Sequence, residues 1–245
     1  MAEPVMPAKP AATVLLLRDA DTVEGIEVFM LRRTKTAAFA GGMYVFPGGK
    51  VDEVDGEGDA GYAIAAIREC YEEAGVLLAT HKDGSMVRDG HPALAHRHAV
   101  HDGDVDLRQL CVANDLTPAV DSLVWISHWI TPVGESLRRF DTRFFITVAP
   151  LEQASSHDDN ETIASAWVGP RDALHRQEFG ELTMMPPTIK NLEFVAAHPN
   201  SAAVMAAARD LGRPTAIMPR LRKDANGKIR GVSLPGDADF DDLED

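Results

Sequence analysis

The sequence is poor in cysteine and in basic residues, and it contains no long apolar run. Its two cysteines, Cys70 and Cys111, cannot form the disulfide framework of a small secreted protein. Lysine and arginine total 24 against 38 acidic residues, so the net charge is −14, which argues against a general nucleic-acid binder. No apolar run approaches the ~18–20 residues of a membrane span. We therefore expect no nucleic-acid partner and no membrane partner.

Targeting signals are also lacking. The N-terminus has no basic segment followed by a hydrophobic one, and Leu243-Glu244-Asp245 is not a peroxisomal address. We therefore expect no secretory signal and a cytoplasmic location. A length of 245 residues allows one large domain, or one domain with a lid. The acidic charge does not exclude a phosphate substrate, because bound metal ions invert the local sign of a site.

The most informative segment is a helical pattern that ends in Arg68-Glu69-Cys70-Tyr71-Glu72-Glu73-Ala74-Gly75-Val76. On a helix, one face carries the apolar residues Ala63, Ala66, Ile67, Cys70 and Ala74. The opposite face carries Arg68, Glu69, Glu72 and Glu73. Like charges four residues apart repel by a few tenths of a kcal/mol, roughly. Carboxylates crowded in this way suit a hard divalent cation such as Mg²⁺ or Mn²⁺, and the alternative is a solvated acidic face.

The whole string, with Phe46-Pro47-Gly48-Gly49 before it, resembles the Nudix box. In that family a Gly opens the box, an Arg-Glu pair follows, and a Glu-Glu-x-Gly segment closes it. Gly49, Arg68-Glu69 and the segment from Glu72 to Gly75 stand in those places. The resemblance implies a hydrolase that cleaves a nucleoside diphosphate linked to another group. It also implies an α/β Nudix fold, with a mixed β-sheet between helices, as a single domain over residues 1–245.

One part of the box departs from the family pattern. The loop between Gly49 and Arg68 is longer than usual, and the family's mid-box Glu aligns with Ala60. That Glu normally braces the box Arg. Its place could be taken by one of three acidic residues in the loop: Asp55, Glu57 or Asp59.

The resemblance also implies roles for single residues. Glu69, Glu72 and Glu73 would hold Mg²⁺ or Mn²⁺, with the backbone carbonyl of Gly48 as a further ligand. Glu72 and Glu73 would be catalytic through these metals, and Arg68 would orient a neighbouring carboxylate. Family members often add an acidic residue from a distant loop that ends in a Trp. Glu161 before Trp167 fits that description, as an additional metal ligand or general base, and the alternative is an exposed acidic turn.

Arginines are the candidates to bind phosphate oxygens that no metal takes. Arg33, Arg139 and Arg143 are such candidates, and Phe144 could stack on a nucleobase. Alternating Phe and Arg is also typical of an ordinary half-buried strand. From the residues alone, both interpretations stay open.

Two further strings resemble the Nudix subgroup that includes the peroxisomal coenzyme A diphosphatase. They are Trp129-Ile130-Thr131-Pro132 and Pro186-Pro187-Thr188. The resemblance implies that the substrate is coenzyme A or one of its thioesters. A separate coenzyme A signature is half present: Arg33 and Gly42 fit it, and its second Arg falls on Ala38.

Other functions remain open at this point. The same chemistry could act on ADP-ribose or NADH, because specificity lies in loops that the fold does not determine. A Nudix-like nucleotide-binding module without turnover is a second alternative, which the complete set of box carboxylates disfavours. A partner in transcription or RNA processing is disfavoured by the acidic charge. A homodimer is left open.

Hydrophobic patterns predict the remaining elements. Strands are expected at 12–18, 25–32, 43–46, 119–132, 140–149 and 163–168, and helices at 105–114, 170–176, 188–198 and 200–211. Residues 81–118 are polar and rich in histidine, which predicts an inserted helical lid that moves over the substrate, with a metal site as the alternative. Residues 223–245 are expected to form an extended acidic tail, disordered or loosely packed.

Overall fold

The structure is a computed structural model that describes residues 6–21, 23–35, 40–136, 138–150, 152–156 and 162–243. Its strands are β1 Lys9–Asp19, β2 Ile26–Arg33, β3 Tyr44–Val45, β4 Gly48–Lys50, β5 Ala79–Thr80, β6 Thr117–Pro118, β7 Val124–Ile130, β8 Phe140–Val148, β9 Thr162–Val168, β10 Ala216–Ile217, β11 Arg220–Lys223 and β12 Ile229–Ser233. Its α-helices are α1 Gly58–Ala74, α2 Arg97–His101, α3 Leu107–Ala113, α4 Pro170–Glu178, α5 Pro186–Ala196 and α6 Ser201–Asp210. Within these ranges, every helix is too short or too polar to cross a membrane.

A mixed sheet forms the centre of the fold. In the described ranges it has eight strands in the order β10-β7-β8-β1-β2-β3, with β4 paired to β1 and β9 paired to β2. The central pair β1 and β8 is parallel, whereas β1–β2 and β7–β8 are antiparallel. The predicted strands at 12–18 and 25–32 are present as β1 and β2, which are neighbours in the sheet. This arrangement confirms the α/β fold with a mixed sheet.

The sheet separates two hydrophobic clusters, and the alternation of β1 shows how. Val14 and Leu16 point into the cluster formed with α1, while Leu15 and Leu17 point into the cluster formed with α5 and α6. Successive strand residues face opposite sides of a sheet, so an apolar run such as β1 supplies both clusters. The sheet is therefore sandwiched between helices, as the resemblance to the Nudix family implies.

Helix α1 carries the box residues along one side of the sheet. It ends at Gly75, whose φ of 72° lies in the left-handed region and whose N–H donates to the carbonyl of Tyr71. The apolar face is buried as predicted. The charged face is not solvated: Arg68, Glu72 and Glu73 are also buried. The alternative of an ordinary acidic surface helix is therefore wrong.

The inserted segment 81–118 packs against α1. It contributes Val87, Val100, Leu110 and Cys111 to the α1 cluster, and all four are buried. The predicted helix at 105–114 is present as α3. Fixed apolar contacts of this kind favour a closely packed wall over a loose cover, and motion of the segment stays a prediction.

The C-terminal segment differs from the extended tail that the sequence predicts. β11 and β12 form an antiparallel hairpin whose turn is held by the Asp224 carboxylate, which accepts from the N–H groups of Asn226 and Lys228. Arg222 then pairs with the carboxylate of Asp239 at 2.6 Å. The acidic run is therefore folded back on the hairpin, because the hairpin supplies the cations that its charges need.

Candidate active site

A cavity of about 890 Å³ lies where α1, the sheet, the insertion and the C-terminal hairpin meet. Its floor carries the box residues Gly48, Gly49, Arg68, Glu69, Glu72 and Glu73. Its apolar wall includes Trp129, Pro132, Phe140, Phe144, Pro187 and Val232. A volume of this size is typical of a small-molecule site, with few polar groups placed against apolar walls.

Arg68 is held at the base of this cavity by Asp55. Its Nε donates to Asp55 Oδ1 and its Nη2 donates to Asp55 Oδ2, both at 2.9 Å. Nη2 also donates to the carbonyl of Lys50 at 2.7 Å. Asp55 is only 1% exposed, so this is a buried bidentate ion pair. Asp55 is the residue that replaces the missing mid-box Glu; Asp59 instead pairs with Arg143 and Arg213.

The remaining guanidinium nitrogen of Arg68 orients two carboxylates. Nη1 donates to Glu69 Oε1 at 2.9 Å and to Glu72 Oε1 at 3.2 Å. Gly49 lies directly against Glu69, and a Cβ at this position would overlap the carboxylate. A side chain at Gly49 would therefore displace the Glu69 carboxylate, whereas at Gly48 a Cβ would overlap the backbone of Ala12 and Thr13 on β1.

Glu73 is positioned from the strand side. Its Oε2 accepts from the backbone N–H of Gly48 at 2.9 Å, and its Oε1 lies 3.7 Å from Arg33 Nη1. The N–H of Gly48 thus points at the carboxylate. Arg33, from the end of β2, stands beside both Glu73 and the cavity.

Burial changes the proton affinity of these groups. Loss of contact with water raises the pKa of Glu69 well above its usual range, against the opposing charge of Arg68. The same cause raises the pKa of Glu72. Burial lowers the pKa of Arg68, but the hydrogen bond to Asp55 and the charges of Glu69 and Glu72 outweigh it and raise the pKa. Carboxylates kept where their charge is costly are typical of functional sites.

The donor set fits a hard divalent cation in its chemistry. Glu69, Glu72 and Glu73 offer carboxylate oxygens on the floor of one cavity, which Mg²⁺ and Mn²⁺ prefer. As they stand, the carboxylates turn toward Arg68, the Gly48 amide and Arg33. Within the described ranges, no three His, Cys, Asp or Glu side chains converge closely enough to hold an ion. The ligand roles of these residues and of the Gly48 carbonyl stay predictions.

Two of the four predicted substrate contacts lie in the cavity and two lie outside its lining. Arg33 and Phe144 line it. Arg139 donates to the backbone carbonyls of Thr131 and Met6, so it joins the β7–β8 turn to the N-terminal segment. The guanidinium of Arg139 is therefore used in holding two parts of the chain together, and contact with a substrate stays a prediction.

Arg143 lies on the α1 face of the sheet, opposite to Phe144. Its guanidinium carbon is 3.8 Å from the ring centroid of Tyr62 and 4.3 Å from that of Trp125. Its Nη1 also pairs with Asp59 at 2.6 Å. These cation–π contacts and the ion pair connect β8 to the start of α1.

Glu161 and Ala38 lie outside the described residues, so the structure does not place them. The role of Glu161 stays a prediction.

Two cavity residues, Lys50 and Glu135, were not candidates in the sequence analysis, and a third, His101, was included only as part of the histidine-rich segment 81–118. Lys50 lies in the cavity lining and directly follows Gly48 and Gly49 in the sequence, so its position beside the box could have identified it as a candidate. Glu135 lies in the β7–β8 turn, where burial raises the pKa of its carboxyl group. His101 comes from the insertion and its Nδ1 is 4.0 Å from Glu72 Oε2. No local pattern identifies Glu135, and the histidine-rich segment does not distinguish His101 from its neighbours, because only the packing of the turn and the insertion brings these two residues to the cavity.

Comparison with known families gives an independent result. The NUDT19 Nudix domain model matches residues 57–195, which is more than half of the chain and includes the box from Arg68 to Gly75.

Individual relatives agree with this match. A putative nudix hydrolase 7 of Caenorhabditis elegans is 30% identical over 165 residues, which are 67% of this chain and 54% of that protein. The acyl-coenzyme A diphosphatase NUDT19 of Gallus gallus is 30% identical over 154 residues, 55% of this chain and 40% of that protein. The chain thus spans about half the length of these relatives. The crystal structure of a NUDIX hydrolase from Alicyclobacillus acidocaldarius superposes with a TM-score of 0.73 at 30% identity, over 82% of this chain and 96% of that one.

Proposed function

This chain belongs to the Nudix family, in the group of NUDT19 Nudix domains, and from that premise we propose that it is a diphosphatase acting on coenzyme A or its thioesters. Hydrolysis joins a water oxygen to one phosphorus and breaks the bridging P–O bond. Coenzyme A would yield 3′,5′-ADP and 4′-phosphopantetheine. The chain would require Mg²⁺ or Mn²⁺.

One observation carries this proposal: three acidic side chains of α1 lie on the floor of a large cavity, and loss of contact with water raises the pKa values of Glu69 and Glu72. Glu69 and Glu72 are fixed by Arg68, and Glu73 is fixed by the Gly48 amide. A nucleotide-binding module without turnover would have no need of this costly arrangement.

We assign the metal to Glu69, Glu72 and Glu73, with the Gly48 carbonyl and Glu161 as further ligands. When bound, the metal lowers the pKa of a water and neutralises charge on the phosphate oxygens. Arg68 acts through the carboxylates and does not touch substrate, since its donors are taken by Asp55, Glu69, Glu72 and Lys50. Glu161 would accept the proton of the attacking water.

The other cavity residues suit the rest of such a substrate. Arg33 stands beside Glu73 and can donate to a phosphate oxygen. Phe144 and Phe140 offer aromatic surface to an adenine, and the apolar wall suits the pantetheine arm. Lys50 and Arg138 supply additional positive charge at the cavity.

A substrate panel tests the function. The purified chain is assayed with coenzyme A, dephospho-coenzyme A, ADP-ribose and NADH, in Mg²⁺ and in Mn²⁺, with products identified by mass. We expect coenzyme A to be cleaved with the highest kcat/KM and no turnover in a chelator. A higher kcat/KM for ADP-ribose or NADH would show that coenzyme A is not the preferred substrate, whereas the assignment as a diphosphatase would stand.

One variant tests recognition of the 3′-phosphate. Arg138 is exposed and lines the cavity, so Arg138→Ala should lower kcat/KM for coenzyme A by about tenfold, as loss of a charge-assisted hydrogen bond does. Dephospho-coenzyme A should be little affected. Arg88→Ala is the matched control, because Arg88 is exposed, pairs with Glu152 and does not line the cavity. Equal losses for both substrates would exclude Arg138 as the 3′-phosphate contact.

A further inference from the structure

His101 reaches the active-site cavity from the insertion, at the end of α2. Its imidazole lines the cavity, and its Nδ1 lies 4.0 Å from Glu72 Oε2. That nitrogen is buried and has no hydrogen-bond partner among the residues that the structure describes. A buried polar atom without a partner is rare in folded proteins and calls for a water, an ion or a ligand that completes it.

The position of this imidazole is built into the fold, because α2 is fixed to α1. Arg97 Nε, at the start of α2, donates to the backbone carbonyl of Glu72 at 2.9 Å. Val100, the residue before His101, is 3% exposed and belongs to the α1 cluster. The neighbours of His101 therefore hold its side chain beside the Glu72 carboxylate.

The separation of the two side chains suits two ligands of one ion. At metal–ligand bonds of about 2.1 Å, two ligand atoms lie about 3 Å apart when they are adjacent and about 4.2 Å apart when they are opposite. His101 Nδ1 and Glu72 Oε2 fall within this range, and they are too far apart for a hydrogen bond. Glu72 Oε2 accepts from Arg68 Nη1 at 3.3 Å, which leaves it a second lone pair.

We propose that His101 Nδ1 is a further ligand of the divalent cation, and that this nitrogen makes the site prefer Mn²⁺ to Mg²⁺. The inference rests on the proposed function, which assigns the cation to Glu69, Glu72 and Glu73. Mg²⁺ takes oxygen ligands and gives up its waters reluctantly, whereas imidazole nitrogen suits first-row transition metals. A set of carboxylates with one imidazole therefore favours Mn²⁺ more than carboxylates alone would.

A charged imidazole that pairs with Glu72 is the rival role, and one substitution distinguishes the two. His101→Asn places an amide oxygen near the position of Nδ1, so it keeps a hard ligand atom and removes the nitrogen. If His101 is a ligand, the affinity for Mn²⁺ falls and that for Mg²⁺ hardly changes. If His101 is a charge partner, loss of a positive charge beside the carboxylates raises the affinity for both cations.

Metal binding measures this difference without turnover. The full chain is freed of metal with a chelator, the Kd of Mn²⁺ is obtained from the EPR signal of the free ion, and Mg²⁺ is titrated in competition. We expect His101→Asn to raise the Kd of Mn²⁺ by at least about tenfold, a loss that even the partners of metal ligands produce. His98→Asn is the matched control and should change neither Kd, because His98 is exposed on the same helix and does not line the cavity.

Pulsed EPR of the Mn²⁺-loaded chain supplies a direct signature. A nitrogen nucleus bound to Mn²⁺ modulates the electron-spin echo. The modulation of a bound imidazole should be present in the wild-type chain and in His98→Asn, and it should be lost in His101→Asn.

The outcomes separate this inference from the proposed function. An echo without imidazole modulation in the wild-type chain, or equal changes of the two Kd values in His101→Asn, overturns the ligand role of His101 and leaves the diphosphatase intact. If the wild-type chain binds neither cation, the metal site of the proposed function is overturned, and the role of His101 is rejected with it.

Discussion

Two groups of carboxylates in this chain respond to their surroundings in opposite ways. On α1, burial raises the pKa of Glu69 and of Glu72. On the C-terminal hairpin, hydrogen bonds from Arg222 and then Ser233 lower the pKa of Asp239 to about 2. Both groups have an arginine partner, so a partner alone does not explain the difference. Water does: the hairpin carboxylates remain exposed, whereas those of α1 are enclosed by the sheet, the insertion and the cavity walls.

The comparison distinguishes two uses of acidic residues. Exposed carboxylates on the hairpin are solvated and compensate nearby cations at little cost. Carboxylates on α1 are retained although enclosure makes their charge unfavourable, which is typical of functional sites.

The largest difference should appear in activity. Glu73→Gln keeps an oxygen that can accept from the Gly48 N–H but removes the charge, so turnover should fall by about a hundredfold or more. Glu72→Gln should behave similarly. Asp239→Asn is the hairpin control and should leave kcat unchanged. Steady-state assays with saturating Mg²⁺ measure these values. If Glu73→Gln retained more than about a tenth of the wild-type rate, the difference between the α1 and hairpin carboxylates would not indicate which of them are functional.

The next largest effect is expected on stability, when the residue that holds Arg68 beside the α1 carboxylates is removed. Asp55→Ala removes the bidentate partner of buried Arg68 and should lower the free energy of unfolding by about 3–5 kcal/mol. Chemical denaturation measures it. Asp59→Ala is the control, because the Asp59 side chain is largely exposed and its arginine partners keep other contacts. Equal changes in the two variants would show that Asp55 does not brace Arg68.

The pH dependence of stability should have opposite signs for the two groups. Because the folded-state pKa values of Glu69 and Glu72 are raised, their contribution is fully present near pH 4 and is lost as pH rises through those values. As pH rises above about 4, the free energy of unfolding of the metal-free chain should therefore fall, by up to about 1.4 kcal/mol per pH unit for each of the two carboxyl groups. Asp239 acts oppositely, and its contribution is lost as pH falls toward about 2.

Denaturation in a chelator between pH 4.5 and 8 measures this slope. Glu69→Gln should flatten it, and so should a divalent cation, because bound positive charge removes the penalty of ionisation. A slope unchanged by both would indicate that the α1 carboxylates titrate normally.

The smallest effect is expected on the hairpin. Arg222→Ala removes the ion pairs to Asp237 and Asp239, which are all on the surface. We expect a slight decrease in Tm that disappears in high salt, because surface charges are screened. Diphosphatase activity should not change. A large loss of activity would show that the ion pairs of Arg222 are needed to position Pro219 and Val232, which line the active-site cavity.

Strand β8 shows what a local sequence pattern predicts and what it leaves open. Its bounds were predicted closely, because Phe140–Val148 has the composition of a strand. Arg143 and Phe144 were both candidates for substrate contacts, with an ordinary half-buried strand as the alternative, although adjacent strand residues face opposite sides of a sheet. The structure brings Phe144 to the cavity and stacks Arg143 against Tyr62 and Trp125. The alternation was visible in the sequence, but which face would meet the cavity was not.

The sequence by itself determined the helix that carries Arg68 and the box carboxylates and the main strands, because these depend on periodicity and spacing over a few turns of chain. The resemblance of the box to a known motif, which also lies in one short segment, indicated the family. Only the tertiary structure decided that Asp55 braces Arg68, that Arg139 and Arg143 stay out of the cavity lining, and that the C-terminal segment forms a wall. Those outcomes depend on contacts between distant parts of the chain, such as Arg143 with Asp59, 84 residues apart. Burial, which raises the pKa of Glu69 and Glu72, likewise exists only once the sheet, α1 and the insertion have packed together.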